Sequence, residues 1–138
     1  MTVKQYLSQL KKIDAQIEQL IEEKGRLESQ LMNTTVAPKE IQVMSSLPAD
    51  PMADRVARIV DIEHELDIRT DHLIDLRNMI IRQIHKLDDP LMIQILYKRY
   101  VEYKRWDIIE AEMNYSFQHL QRLHKKALWT FGVKHEIK

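Results

Sequence analysis

The opening residues carry a heptad seam: Val3, Tyr6, Leu10, Ile13, Ile17, Leu20, Lys24, Leu27 and Leu31 follow one another at alternating intervals of three and four. On an α-helix such a series forms one narrow stripe, and another helix laid along its length is what covers it. Lys24 is the polar position in the seam. It either fixes register and partner choice or runs its stem along the seam and lifts its ammonium into water. Thr2, with Gln5 three residues on, has the form of a capping box, and Met1 is placed to pack on Tyr6 as a staple. The first helix is therefore expected over residues 3–32.

Composition points the same way. There are 2 glycines and 4 prolines in 138 residues, against 30% charged and 44% hydrophobic residues. So little glycine argues against β-meanders, dinucleotide folds and phosphate loops, which need residues tolerant of positive φ. Zero cysteines exclude a disulfide framework, a thiolate metal site and a cysteine nucleophile. No apolar run approaches the ~18 residues of a membrane span, and the N-terminus lacks a signal-peptide core. The expectation is an all-α, cytoplasmic chain with no membrane partner.

Residues 33–50 break the seam with Asn33-Thr34-Thr35, Pro38 and Pro48, and read as a linker. Asp50-Pro51 then restarts a helix, Asp as cap and Pro at the first helical position. Met52, Val56, Ile59, Ile62, Leu66, Leu73, Leu76, Ile80, Ile84 and Leu87 mark a second stripe, interrupted at Arg69 and Thr70, which predicts a helix over 51–87. The linker spans roughly 60 Å when fully extended, so pairing of the long helices within one chain or between copies stays open. A narrow two-helix seam invites a second copy, and a homo-oligomer is expected. Residues 1–88 thus form a coiled-coil assembly region, and 89–138 a second domain.

Asp89-Pro90 repeats the cap-and-proline start. The helices that follow are short, about 90–103, 106–113 and 116–131. Asn114 tolerates the left-handed conformation that ends a helix, and Ser116 is a good cap for the next one. Two short helices on a three-residue turn make a helix-turn-helix candidate. Charge shifts along the chain as well. Residues 34–89 hold seven basic and eleven acidic side chains, whereas 90–138 hold nine basic and five acidic, within a net charge of zero. A basic end suits a polyanion.

In the last helix Leu120, Leu123, Ala127, Leu128 and Phe131 share the inward face. Gln118, Gln121, Arg122 and Lys125 share the opposite one, a set that suits a major groove: Gln for adenine, Arg for guanine, Lys for phosphate. A helix opened by Ser116 offers backbone N–H groups to a phosphate, and Phe117 and Tyr115 are placed for a thymine methyl, a sugar or the core. Lys98, Arg99, Lys104 and Arg105 are candidate phosphate contacts. A solvated amphipathic helix has the same spacing, so spacing alone leaves both readings open.

Leu91, Leu96, Arg99-Tyr100, Trp106-Asp107-Ile108-Ile109, Asn114-Tyr115-Ser116, Leu120, Arg122-Leu123-His124 and Ala127-Leu128 together resemble region 4 of sigma-70-type factors. The chain looks closest to the sigma-related regulators of Gram-positive phages, the RinA and ArpU-like proteins, in which a coiled-coil segment beginning much like Tyr6-Leu7 through Leu10-Lys11-Lys12-Ile13-Asp14 precedes the helix-turn-helix. That resemblance implies a phage regulator of late or packaging genes, acting in the bacterial host on double-stranded promoter DNA and on RNA polymerase or another protein. The sequence departs from the family at Glu110, where alanine is usual, and at Asn114, where the turn glycine is usual.

Other constellations are weaker. His64, Glu65, His72 and Asp75 match no compact metal motif, and Asp67, Asp71 and Asp75 read as a solvated or protein-docking acidic face. No Ser/His/Asp arrangement in strand-turn-helix context is present, so neither an enzyme nor a cofactor is expected. Tyr97, Tyr100, Tyr103 and Trp106 cluster near the helix-turn-helix joint, placed to stack on bases, to contact a partner or to lock the short helices together. Tyr100 and Trp106 are assigned to the core, Trp129 and Phe131 to its cover, and residues 134–138 to a frayed tail. Two functions follow: a sequence-specific transcription regulator, or a coiled-coil adaptor docking on a host or phage protein.

Overall fold

The computed structural model describes residues 1–35 and 51–137, and these are helical throughout apart from short joints. Most of the linker and the Asp50 cap fall outside the described residues. Helix α1 spans Val3–Thr35 and α2 spans Pro51–His85. Helix α3, Pro90–Leu96, runs on as a π-helical turn at Tyr97–Val101; α4 spans Trp106–Met113 and α5 spans Phe117–His135.

The capping box closes reciprocally at the start of α1. Thr2 N–H donates to Gln5 Oε1 at 2.9 Å, and Gln5 N–H donates to Thr2 Oγ1 at 3.1 Å. The staple does not form: Met1 is largely exposed and its Sδ accepts from Gln9 Nε2. Asp89 caps α3, its carboxylate accepting from Leu91 N–H at 2.9 Å, with Pro90 at the first helical position.

The chain forms two compact units, Met1–Ala15 with Ile74–Lys138, and Gln16–Leu73. The cut between them does not follow the division at residue 88 drawn from sequence, because the first turns of α1 and the last turns of α2 pack with the short helices. Among the described residues, the first unit holds all the buried hydrophobic side chains except Ile59 and Leu66. Its core contains Leu7, Leu10 and Ile13 of α1, Ile80 and Ile84 of α2, Ile95 and Leu96 of α3, Ile109 of α4, and Leu120, Ala127 and Phe131 of α5. Within this unit α1 and α2 run antiparallel in one chain: Tyr6 OH donates to Gln83 Oε1 at 2.6 Å, and Arg77 Nε donates to Asp14 Oδ1 at 2.6 Å.

In the second unit the two helices are again antiparallel, with Lys24 paired to Asp67 at 2.8 Å. Lys24 thus carries its ammonium out of the seam to a half-exposed Asp67 carboxylate. The stripe on α2 has no gap. Glu63, Thr70 and Arg77 lie half-buried between Ile59, Leu66, Leu73 and Ile80, whereas Ile62, assigned to the seam, is exposed. A strict four-three repeat was obscured because three of its members are polar.

Two further corrections concern the C-terminus. Trp129 is 70% exposed, so Phe131 covers the core without it. The segment read as frayed is tied down: Lys134 Nζ donates to Lys86 O, His135 Nε2 lies 2.9 Å from Gln83 O, and Ile137 N–H donates to Gly132 O at 2.9 Å. Gly132 permits the approach of α1, since a Cβ there would stand 2.8 Å from Val3 Cγ2.

Leu7 and Ile21 hold the same heptad position, yet Leu7 is 0% exposed and Ile21 58%. Leu7→Ala is expected to lower unfolding free energy by about 2–5 kcal/mol. Ile21→Ala should change it by less than about 0.5 kcal/mol. Urea unfolding followed by circular dichroism measures both.

Candidate nucleic-acid interface

Helix α4 ends at Asn114 with φ 57° and ψ 38°, the left-handed conformation its amide side chain tolerates, and Asn114 N–H donates to Glu110 O at 3.0 Å. Extended backbone at Ser116 then turns the chain into α5. Its Oγ accepts from His119 N–H at 3.2 Å, and the Tyr115 ring stacks on the His119 ring with centroids 4.5 Å apart. The turn is thus closed by one left-handed residue and one cap, the pair expected from sequence.

Leu123 and Leu128, assigned to the inward face of α5, are only half-buried at its edges. Leu120, His124, Ala127 and Phe131 are buried; Gln118, Arg122 and Lys125 stand exposed on the other side, with Ser116 and half-exposed Phe117 at the start. Trp129 and Val133 continue the outer face as exposed apolar groups. Gln121 departs from the set. It is half-buried, and its Nε2 is out of solvent without a hydrogen-bond partner among the described residues. One helical position separates it from Arg122, about 100° around the axis, which turns it toward the core edge.

Of the four cations assigned to phosphate, all but Arg99 already hold carboxylates. Lys98 lies 3.2 Å and Lys104 2.5 Å from Glu112 Oε1, and Lys104 also lies 3.3 Å from Glu102. Arg105 Nη2 lies 2.8 Å from Asp107 Oδ2. Accordingly the Glu112 carboxyl is held below its usual range, first by Lys104 and then by Lys98, and that of Asp107 by Arg105. Lys98, Lys104 and Arg105 present ion pairs, not bare charge, to an approaching polyanion.

Sequence reasoning gave no role to His124. It sits in the buried register, four residues after Leu120 and three before Ala127, which was the available signal. Its Nε2 shares a 2.7 Å hydrogen bond with the Tyr100 hydroxyl, and the Trp106 ring meets it edge-on at 4.8 Å. The Arg99 guanidinium lies over Trp106, 4.9 Å from the ring centre. Tyr100, buried as assigned, and Trp106, which is only half-buried, thus hold α5 against the preceding segment. Burial, then the charges of Lys4 and Arg99, push the His124 pKa down to about 4. Burial drives the Tyr100 phenol up to about 12.

Tyr103, one of the aromatic residues clustered at the joint, reaches back to α1. Its backbone is left-handed, φ 59°, and its hydroxyl donates to Leu10 O at 3.1 Å and to the Asp14 carboxylate. Burial raises its pKa, and Asp14 adds to the effect. Among the described residues, no three His, Asp or Glu side chains converge as metal ligands, and no helix is long and apolar enough to cross a membrane. Comparison of the chain with protein-family models, curated proteins and solved structures finds no match.

His124 makes folding pH-dependent with a definite sign. Its pKa is near 6.5 when unfolded and about 4 when folded. The unfolded chain binds the extra proton, so this stabilisation is full above pH 6.5 and disappears as pH falls toward 4. His124→Gln is expected to remove roughly 2–3 kcal/mol of the acid-induced loss across that window. Urea titrations of wild type and variant at pH 4.5 and 7.5 test it, equal pH dependence being the adverse result.

Proposed function

We propose that this chain is a DNA-binding transcription regulator, with the segment from α4 to α5 acting as a helix-turn-helix and α5 reading the major groove. The observation that carries this reading is the division of α5: one face locked into the core by Leu120, His124, Ala127 and Phe131, the other presenting Gln118, Arg122 and Lys125 to solvent. A reading helix needs both properties, a rigid seat and unspent donors. Arg122 matches the two acceptors of guanine, Gln118 matches adenine, and Lys125 takes phosphate. With His119 N–H taken by Ser116 Oγ, the N–H groups of Phe117 and Gln118 at the start of α5 suit a backbone phosphate.

The resemblance to sigma-related phage regulators supports the same reading and supplies its biological setting, control of late genes in a bacterial host. The long helices then serve assembly as a coiled coil. Ile21, Val60, Ile62 and Ile68 of the second unit are exposed aliphatic side chains that a second copy would cover. Two copies would place two α5 helices on paired half-sites.

A second reading, a protein-docking adaptor, is favoured by Trp129 and Val133, 70% and 60% exposed on the outer face of α5. Exposed aromatic groups are enriched where proteins meet, and RNA polymerase or a repressor is the fitting partner.

A DNA titration over fragments of the surrounding genome, at two salt concentrations, separates the readings. Wild type is expected to bind selected fragments with steep salt dependence. Arg122→Ala/Lys125→Ala should weaken binding by about 10- to 100-fold and reduce the salt slope by about 1. Absence of salt-sensitive binding, with the variant equal to wild type, would transfer the assignment to the adaptor.

A further inference from the structure

A small cavity of about 180 Å³ in the first unit is lined by Lys4, Ser8, Lys11, Arg99, Tyr100 and Tyr103. Lys4, Ser8 and Lys11 follow at i, i+4 and i+7, so α1 presents them as one stripe. The other three come from the π-helical turn and the joint beyond it. Three cations therefore face one concavity that has no carboxylate in its lining. Lys4 and Lys11 have no ion pair among the described residues, and Asp14 on the same helix is engaged by Arg77 and Tyr103. Arg99 gives one N–H to Lys104 O at 2.9 Å and retains others.

The backbone on the Arg99 side is unusual twice over. Glu102 N–H bonds to Tyr97 O across five residues, the π-helical pattern, and Tyr103 is left-handed at φ 59° although bulky. Both conformations are disfavoured and gather at functional sites. Together they swing Arg99, Tyr100 and Tyr103 toward the lysine stripe.

We propose that this cavity is an oxyanion site that holds one phosphate group. Charge fixes the ligand class: three converging cations with a serine hydroxyl favour a compact anion with several acceptor oxygens. Size fixes the extent, since the cavity is smaller than the ~300–1,000 Å³ of sites that enclose whole drug-sized ligands. The phosphate belongs either to a duplex backbone or to a free phosphorylated ligand. The first source deepens the DNA-binding reading; the second stands without it. Either way the group would sit on Tyr100, which bonds His124 beneath the outer face of α5.

Calorimetric titration of the full chain with sodium phosphate, at constant ionic strength in chloride, is the test. Wild type is expected to saturate at one phosphate per chain. Lys4→Ala/Lys11→Ala should bind about tenfold or more weakly, and Ser8→Glu, which places a carboxylate in the cavity, should abolish binding. Lys12→Ala, exposed beside Lys11 but outside the lining, should bind as wild type. No saturable binding, or equal loss in the Lys12 variant, overturns the proposal. If phosphate displaces duplex from wild type and the double variant loses DNA affinity, the source is the backbone. If the double variant binds duplex normally, the source is a free ligand. Phosphate binding is read without DNA, so failure of the DNA-binding reading leaves this result distinguishable.

Discussion

The first four turns of α1 are the surface on which the rest of the first unit is laid. Leu7, Leu10 and Ile13 are buried together, and the polar groups beside them are committed as well. Tyr6 reaches Gln83 of α2 and packs on Phe131 of α5 with ring centroids 6.0 Å apart; Asp14 takes both Arg77 and Tyr103. A half-buried carboxylate is costly unless it is paired and hydrogen-bonded, and here it has both kinds of partner. Those contacts set the positions of α2, the segment after α3 and α5 at once. An N-terminal helix that looks like a detached assembly element is therefore part of the foundation of the candidate DNA-reading helix.

That foundation explains why α5 can devote one face to solvent. A helix of its length is marginal by itself and takes its stability from tertiary packing. Phe131, Ala127 and Leu120 supply apolar burial, and His124 adds a polar contact that stays neutral in an apolar, cation-rich setting. The Tyr100 hydroxyl satisfies the imidazole, so the group does not carry the penalty of an unpartnered polar atom. The outer residues are then free of structural duty, which is what recognition requires.

Net charge is a poor guide to where a polyanion would settle on this chain. The basic excess of the C-terminal third includes Lys98, Lys104 and Arg105, all of which close on neighbouring carboxylates. Cations without such partners include Arg122 and Lys125 on α5, and Lys4, Lys11 and Arg99 around the small cavity. Two of these come from a segment whose charges balance in sequence. Position in the fold, not the count of basic residues, shapes the field.

Helix existence, the caps at Thr2, Asp89 and Ser116, the left-handed Asn114 and the two faces of α5 were legible in the sequence. Each is set by local chemistry: a side-chain oxygen within reach of a free N–H, a residue tolerant of positive φ, or apolar groups spaced to one side of a helix. The roles of Leu7, His124, Tyr103, Gln121 and Trp129 were not legible, nor was the unbroken stripe on α2 through Glu63, Thr70 and Arg77. Those depend on which neighbours arrive from distant parts of the chain, and hydrophobicity alone misplaces them. Leu7 is covered while Ile21 at the same heptad position is not; Trp129 is left out while His124 is taken in. By itself the sequence determined an all-helical chain with its starts, stops and amphipathic faces, because these arise from interactions within a few residues. Only the tertiary structure decided which polar groups pair, which cations remain free and which faces meet, because those outcomes follow from contacts between residues as far apart as Asp14 and Tyr103.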